Sequence, residues 1–478
     1  MTLNSINITE LVEQVKAQLK DDKNISPSLR MAVEMILLVV VMLSEKIGLN
    51  SKNSSKPPSS DPNREKNNRS NSNNSRGGQK GRQGKTLTQT ETPDEVKQVL
   101  VDRSELPPGK YREVGFQKRQ VFDIDIRRMV TEYQAQILED EHGKRFTAKF
   151  PEGVNSPVQY GHGVKAHAVY LSQYQLLPYN RIEEYFADQV GIPISAGSLF
   201  NFNEQAAKLV VTLGAEKAIK DALISTNTAL HVDETGINVN GKRRWLHGAS
   251  TTEWTYFYPH ENRGQKAINA AGILPHFTGV LCHDHWKSYY NFTACEHSLC
   301  NAHHLRELEW SWEYDKMQWA KDLQGLLKKI NQQTVDDENL SLEQQDSFRN
   351  QYREVLKRGN IECPPPDEST RKKGQRGRLK RTKSRALLER LQDYEEDVLR
   401  FMTSAVIPFT NNQGENDIRM TKVHQKISGC FRSVEGAQIF CLLRSYLSSC
   451  RKQDVSASEA LNLLFQSKLP DIFVTPAE

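Results

Sequence analysis

The sequence predicts an α/β core, a mixed sheet with flanking helices, interrupted by a helical insertion and preceded by N-terminal helical and small β modules. Three observations carry this expectation. Residues 229–282 read as three strands, a short helix and a fourth strand. Residues 313–404 read as charged helix broken by Pro364-Pro365-Pro366 and a basic tract. Three carboxylates in distinctive settings, Asp233, Asp284 and Glu415, lie 51 (284 − 233) and 131 (415 − 284) positions apart, so only a fold can bring them together.

A length of 478 residues allows two to four domains. In residues 1–50, Ile8, Leu11, Val15 and Leu19 recur at helical spacing. A second helix starts at Ser26-Pro27-Ser28 and runs to about Gly48, with an apolar stripe too wide for a lone surface helix. It packs either in an intrachain hairpin or against another protomer, which makes residues 1–50 a candidate oligomerisation segment. Residues 51–92, opening on Asn53-Ser54-Ser55-Lys56-Pro57-Pro58-Ser59-Ser60-Asp61, read as a basic low-complexity linker. Residues 93–160 read as a small β module, with alternation in Gln120–Ile124 and Val130–Ala135. Residues 161–225 read as helical. There Arg181–Val190, the turn Gly191-Ile192-Pro193 and a helix capped by Ser195 and running to about Leu209 form a candidate helix-turn-helix; ordinary helical packing is the alternative.

The core is expected over 226–312 and 405–452. Strands are expected at Ala229–Val239, Arg243–Ser250 and Thr255–Tyr258, a helix from Lys266 to about Ile273, a fourth strand at Gly279–Cys282 and a fifth at His297–Leu299. That order is the order of a ribonuclease-H-like core. The helical insertion occupies 313–404, Asn411-Asn412 caps a helix carrying Glu415, and 453–478 form a C-terminal helix and tail.

Net charge is only +5, but it is unevenly spread. Residues 51–85 hold nine Lys/Arg against Asp61 and Glu65, and residues 371–385 hold nine Lys/Arg and no acid. One such block is commonly a solvated segment; two favour a polyanionic partner, and nucleic acid is the commonest. All seven cysteines lie at or after Cys282, an odd number without a disulfide framework, so a reducing cytoplasm is expected. The start lacks a signal-peptide pattern, and the apolar run Met35–Leu43 is nine residues long, short of the ~20 that span a bilayer.

The chemistry follows from the placement of the acids. Asp233 leaves the first strand and Asp284 ends the fourth, its neighbour. Glu415 lies in a helix's first turn, where exposed amides favour a carboxylate. Three hard oxygen ligands on a rigid frame suit two magnesium ions and phosphodiester chemistry. Glu415, Arg419 and Lys422 recur at i, i+4 and i+7 on one face; the two cations are candidate phosphate ligands, with a surface ion-pair helix as the alternative. Trp286 is a candidate base-stacking residue, with core packing as the alternative. Glu234, next to Asp233 on a strand, points to the opposite face. Cys295, His297, Cys300, His303 and His304 have metal-ligand spacing, but on and beside a strand they are expected to be buried packing residues rather than a structural zinc site.

Several of these stretches resemble the insertion-sequence-66 family of bacterial transposases. They are Asn53–Asp61, Ala229–Gly236, His283–Tyr289, Cys300-Asn301-Ala302-His303-His304-Leu305-Arg306-Glu307-Leu308, Arg376-Gly377-Arg378, Asn411–Arg432 and Gly429-Cys430-Phe431-Arg432-Ser433. The resemblance covers nearly the whole chain in the same motif order. It implies a DDE transposase with a ribonuclease-H-like catalytic core, a helical insertion before the last acid, and Mg2+ or Mn2+ as cofactor. The family's catalytic and metal-holding acids fall on Asp233, Asp284 and Glu415. DNA contacts are expected at Arg419, Lys422, Trp286, Lys372, Arg376 and Arg378. The expected partners are double-stranded DNA at transposon ends and target, further copies of the chain in a homo-oligomer, and small accessory proteins of the same element, with no membrane and a nucleoid-associated cytoplasmic location.

One departure stands out. Where many members carry paired cysteines of a zinc-binding module, this chain has Leu100–Glu105 and Leu138–Gly143, without cysteine. Gly414 and Asn416 also replace the commoner Ala and Arg. The function expected is metal-dependent hydrolysis at transposon ends followed by strand transfer. The alternatives are a catalytically silent DNA-binding regulator derived from a transposase, and a structure-selective nuclease on the same fold.

Overall fold

A computed structural model of the chain describes residues 2–3, 6–22, 25–50, 52–54, 87–336, 339–371 and 377–474. At its centre is a five-stranded sheet of β1 (Leu230–Val239), β2 (Lys242–Ser250), β3 (Thr255–His260), β4 (Val280–His283) and β5 (Glu296–Leu299). The strand order is β3-β2-β1-β4-β5. The first three strands are antiparallel, while β4 runs parallel to β1 and β5 parallel to β4. Asn240 and Gly241 make the β1–β2 turn with φ of 48° and 75°. Both are residues that accept positive φ, as the tight hairpin turn matching sheet twist requires.

The N-terminal helices α1 (Ile8–Asp21) and α2 (Pro27–Gly48) pack on each other, with Val12 and Leu19 buried. Met31, Met35, Ile36, Leu38, Val39, Met42 and Leu43 of α2 stay exposed. The linker expected over 51–92 falls largely outside the described residues. Within 93–160, the hairpin Ile137–Glu139/Arg145–Thr147 is the only ladder among the described residues. Gln120–Ile124 and Val130–Ala135, expected as strands, form no ladder, and Val121, Ile124 and Val130 are exposed. Alternation gives a segment β character, but a strand needs a partner edge, and none pairs with them among the described residues.

A helical layer follows: α3 (His162–Val169), α4 (Tyr179–Tyr185), α5 (Ala196–Thr212) and α6 (Ala215–Ile224). The turn between α4 and α5 contains Gly191 at φ 67°, and the Ser195 hydroxyl accepts the Ser198 N–H to cap α5. The inner face of α5 joins a core with α14 (Val434–Lys452) and α15 (Ala457–Phe465) through Leu199, Phe202, Ala206, Leu443, Tyr446 and Leu461. Between β3 and β4 lies α7 (Gln265–Ala271), stopped at Gly272 with φ 75°.

The insertion has its own core. α8 (Asn301–Glu313), α9 (Gln318–Asp336), α10 (Leu342–Glu362), α11 (Lys383–Asp393) and α12 (Glu395–Leu399) bury Trp319, Leu323, Tyr352, Leu388 and Leu399 together. Gly359 of α10 allows a close helix approach; a Cβ there would sit 2.9 Å from Leu388 Cδ1 and 3.0 Å from Trp319 Cγ. Lys372 and Arg376 of the second basic tract lie outside the described residues.

The chain returns to the sheet through α13 (Asn412–Ile427) and α14. On one sheet face, Leu230, Val232 and Leu281 pack with Ile219, Leu223 and Ile268. On the other, Ile237, Val239, Leu246 and Phe257 pack with Ile418, Ala437 and Phe440. α14 also covers the free edge of β3: the Thr255 and Phe257 N–H groups donate to Ser449 Oγ (3.0 Å) and Ser445 Oγ (2.8 Å), so that edge is not left as a pairing template. Among the described residues no helix is long and apolar enough to cross a membrane.

Candidate active site

Strand period and register determine where the acids go. Ile237 and Val239 face α13, and Asp233 shares their parity; Glu234 shares the parity of Leu230 and Val232 and faces away. The β1–β4 ladder pairs Leu230 with Leu281 and His231 with Cys282. Carried two residues further, that register sets Asp284, just past the end of β4, opposite Asp233, which lies within β1 rather than leaving it as expected.

Each aspartate is oriented by a backbone amide. Asp233 Oδ1 accepts the Glu234 N–H at 2.8 Å, and Asp284 Oδ1 accepts the Trp286 N–H at 3.1 Å. The chain turns sharply after Asp284, where His285 takes φ 74° and donates its N–H to His283 Nδ1 at 3.1 Å. A non-glycine residue in the left-handed region is strained, and here the strain sits at the candidate site. Burial pushes His285 down to about 4 and His283 further below its ordinary range. Both imidazoles are therefore neutral near pH 7.

Burial is also the first cause of the shift at Asp233, followed by the charges of Glu234 and Asp284, with Glu415 adding. Together they push its carboxyl up to about 8, against the pull of the Glu234 N–H. Among the described residues no Lys, Arg or His is ion-paired to Asp233 or Asp284. Uncompensated carboxylates on a rigid frame are a donor set for a hard divalent cation, so these residues fit magnesium or manganese. Asp233, Asp284 and Glu415 do not all lie within 4.8 Å of one another; the group that does so is Cys300, His303 and Glu415.

Glu415 is in the first turn of α13. Asn411, the residue expected to cap that helix, makes no side-chain cap bond. Its amide is engaged by β1 instead: Nδ2 donates to the Val232 carbonyl at 2.8 Å, and Oδ1 lies 2.8 Å from His231 Nδ1. Local propensity predicts the cap, but two buried β1 groups beside Asp233 need partners more than an exposed helix end does.

Glu234 is held on the far face. Its side chain is 1% exposed, accepts both Arg263 Nε (2.8 Å) and Nη2 (2.5 Å), and accepts the Tyr289 hydroxyl at 2.5 Å. Arg263 in turn lies over Trp286 (4.5 Å) and Trp245 (4.9 Å), and Arg243 lies 4.7 Å from Trp245. This stack borders an open cleft of about 740 Å3, lined among others by Gly236, Arg243, Trp245, Arg263, Lys422 and Cys430.

The expected site residues are distributed as follows. Lys422 reaches the cleft and donates to the Gly236 carbonyl at 2.6 Å. Arg419 is exposed without an ion-pair partner among the described residues, and Arg378 is exposed. Trp286 is partly buried between Arg263 and the edge-on Tyr289 ring. Of the five metal-type residues, Cys300 and His303 converge with Glu415. Cys295 instead bonds Phe292 O, His297 bonds His283, and His304 bonds Asn301. Sequence reading missed Arg243, Trp245 and Arg263. The one signal was Arg243-Arg244-Trp245, a basic pair beside an aromatic on a strand.

Residues 157–439 match the family model described as "Transposase IS66 family". Residues 3–88 match a model described as "Family of unknown function (DUF6444)". No curated protein matches the chain.

Proposed function

Since the chain belongs to the IS66 family of transposases, and so is an enzyme that acts on DNA, we propose that it works by DDE chemistry on a ribonuclease-H-like core. It hydrolyses a phosphodiester at each transposon end to free a 3′-hydroxyl. That hydroxyl then attacks a target phosphodiester in line, and the new ester bond forms as the target's own 3′-oxygen leaves. The observation that carries this reading is the register that sets Asp284 opposite Asp233 on neighbouring parallel strands, with the charge of Glu415 felt at Asp233. The strand order β3-β2-β1-β4-β5, antiparallel then parallel, supports the ribonuclease-H-like assignment.

Asp233, Asp284 and Glu415 would hold two Mg2+ or Mn2+ ions, which when bound supply an activated oxygen nucleophile and a stabilised leaving oxygen. The protein's own part is positional. The bent turn at His285 fixes Asp284, the Asn411 amide ties α13 to β1, and α13 presents Glu415 from its first turn. Lys422 and Arg419 grip phosphate, while Arg243, Arg263 and Trp245 line the cleft along which the strand leaves the acids. Guanidinium planes and an indole suit phosphates and unpaired bases alike. Trp286 backs this stack. The α4–α5 pair, with Arg378, Lys372 and Arg376 of the basic tract, adds affinity that falls steeply with salt. The active assembly is a homo-oligomer holding both ends.

The test is a strand-transfer assay with purified protein, labelled element ends and Mn2+. Cleavage and joined product are expected for the wild type, and neither for Asp284→Ala. Cleavage that persists undiminished in Asp284→Ala would overturn the assignment, and cutting without joining would point to a nuclease.

A further inference from the structure

Beside the two aspartates, Cys300 and His303 converge on Glu415. Cys300 precedes the first turn of α8, and its buried sulfur accepts the Asn411 N–H at 3.1 Å and faces the N–H groups of His303 and Ala302. Such amides orient a sulfur ligand. His303 stands one turn on, and Glu415 enters from α13 with Oε1 3.8 Å from His303 Nδ1. One ligand atom from each of the three lies within 4.8 Å of the others. His303 Nδ1 and Glu415 Oε1 are sealed from solvent, and neither has a hydrogen-bond partner. Orphaned buried polar atoms are costly, and here two of them converge with a sulfur on one point. Sulfur, nitrogen and oxygen donors in a set of three are not what magnesium selects; they are the set of zinc in sites that keep an open position.

We propose that Cys300, His303 and Glu415 form a single-ion site for zinc or a similarly thiophilic divalent cation, and that an ion bound there withholds Glu415 from Asp233 and Asp284. Binding exchanges the Cys300 thiol proton, released to solvent, for a metal–sulfur bond, with water in the fourth position. The ion joins the first turns of α8 and α13 and so acts as a brake on cleavage. The site stands on its own geometry; only the brake rests on the reading of Glu415 as the third acid.

Full-length protein, freed of metal with a chelator, is titrated with Co2+. The expected result is one ion per chain with thiolate-to-cobalt charge-transfer absorption, displaced by Zn2+. The absorption is lost in Cys300→Ser, kept in Cys430→Ser, and needs at least about tenfold more Co2+ in His303→Ala. A wild type without the band, or a band surviving Cys300→Ser, overturns the site. For the brake, one equivalent of Zn2+ is expected to slow Mg2+-supported cleavage at least about tenfold in the wild type and less in Cys300→Ser. Equal inhibition of both overturns the coupling. A wild type that shows the cobalt band but never cuts DNA counts against the transposase chemistry and supports the site.

Discussion

Asn411 Oδ1 lies 2.8 Å from Nδ1 of His231, in a contact where both residues are buried. Because the Asn411 NH2 donates to the Val232 carbonyl, its oxygen must be the acceptor, so His231 carries its proton on Nδ1. This bond joins two segments 180 residues apart (411 − 231), one adjoining Asp233 and the other Glu415.

Asn411→Ala is therefore expected to act on both stability and rate. It leaves His231 Nδ1 and the Val232 carbonyl buried without partners, costing roughly 2–4 kcal/mol in all. A drift of α13 by about 1 Å costs on the order of a hundredfold in cleavage. Urea unfolding and single-turnover cleavage read the two effects; a variant with wild-type rates would show that α13 is held by other means.

The metal-free protein should lose stability as pH rises. Asp233 has an ordinary value of 3.8 and is pushed up to about 8 in the fold. Above pH ~4 the unfolded chain sheds this proton while the folded one keeps it, so the stabilisation present at low pH is lost up to about pH 8. Asp233→Asn removes that term and should raise the melting temperature of metal-free protein at pH 8 by a few degrees. It should also abolish the further rise that Mg2+ gives the wild type. A melting temperature lowered at pH 8 by this substitution would refute the argument.

The cleft cations Lys422 and Arg243, and the exposed Arg419, should differ from structural cations in their salt signature. Each of Lys422→Ala, Arg419→Ala and Arg243→Ala is expected to reduce the slope of log binding constant against log salt by about 1. Fluorescence anisotropy with an end-containing duplex measures it; unchanged slopes would remove these residues from the DNA path.

Tyr289→Phe deletes the hydroxyl that Glu234 accepts in the core. The expected loss is about 1.5–3 kcal/mol, since the acceptor is a buried carboxylate. Denaturant titration checks it, and a loss below about 0.5 kcal/mol would mean that Arg263 alone satisfies Glu234.

Gly359→Ala sets helix propensity against space. The gain of about 1 kcal/mol is outweighed by crowding of Leu388 and Trp319, with a net loss of about 1–2 kcal/mol. Thermal melting that rises instead would show that the insertion core relaxes.

The sheet was legible because its signals are local. Alternation in Leu230–Val239 and Lys242–Ser250 needs no knowledge of the rest of the chain, nor does a capped α5 after Gly191-Ile192-Pro193. The role of Asn411 was not legible, since an Asn before a helix reads as a cap whichever way its amide turns. Arg243, Trp245 and Arg263 were missed for a similar reason: a strand cation counts as surface charge until the facing helix that makes a cleft is known. Gln120–Ile124 failed the other way, showing strand periodicity without a partner. Cys300 and His303 were seen with three neighbours that the fold sends elsewhere, while their actual companion, Glu415, lies more than a hundred positions on.

The acids come from either side of the insertion, and this orders events during synthesis. Asp233 and Asp284 are made well before Glu415, which follows Asp284 by 131 residues (415 − 284). A growing chain therefore carries the first two acids without the third until α13 is made. α14, which seals the edge of β3, comes later still. A chain that stops before α13 lacks Glu415, and one that stops before α14 leaves the edge of β3 open as a pairing template.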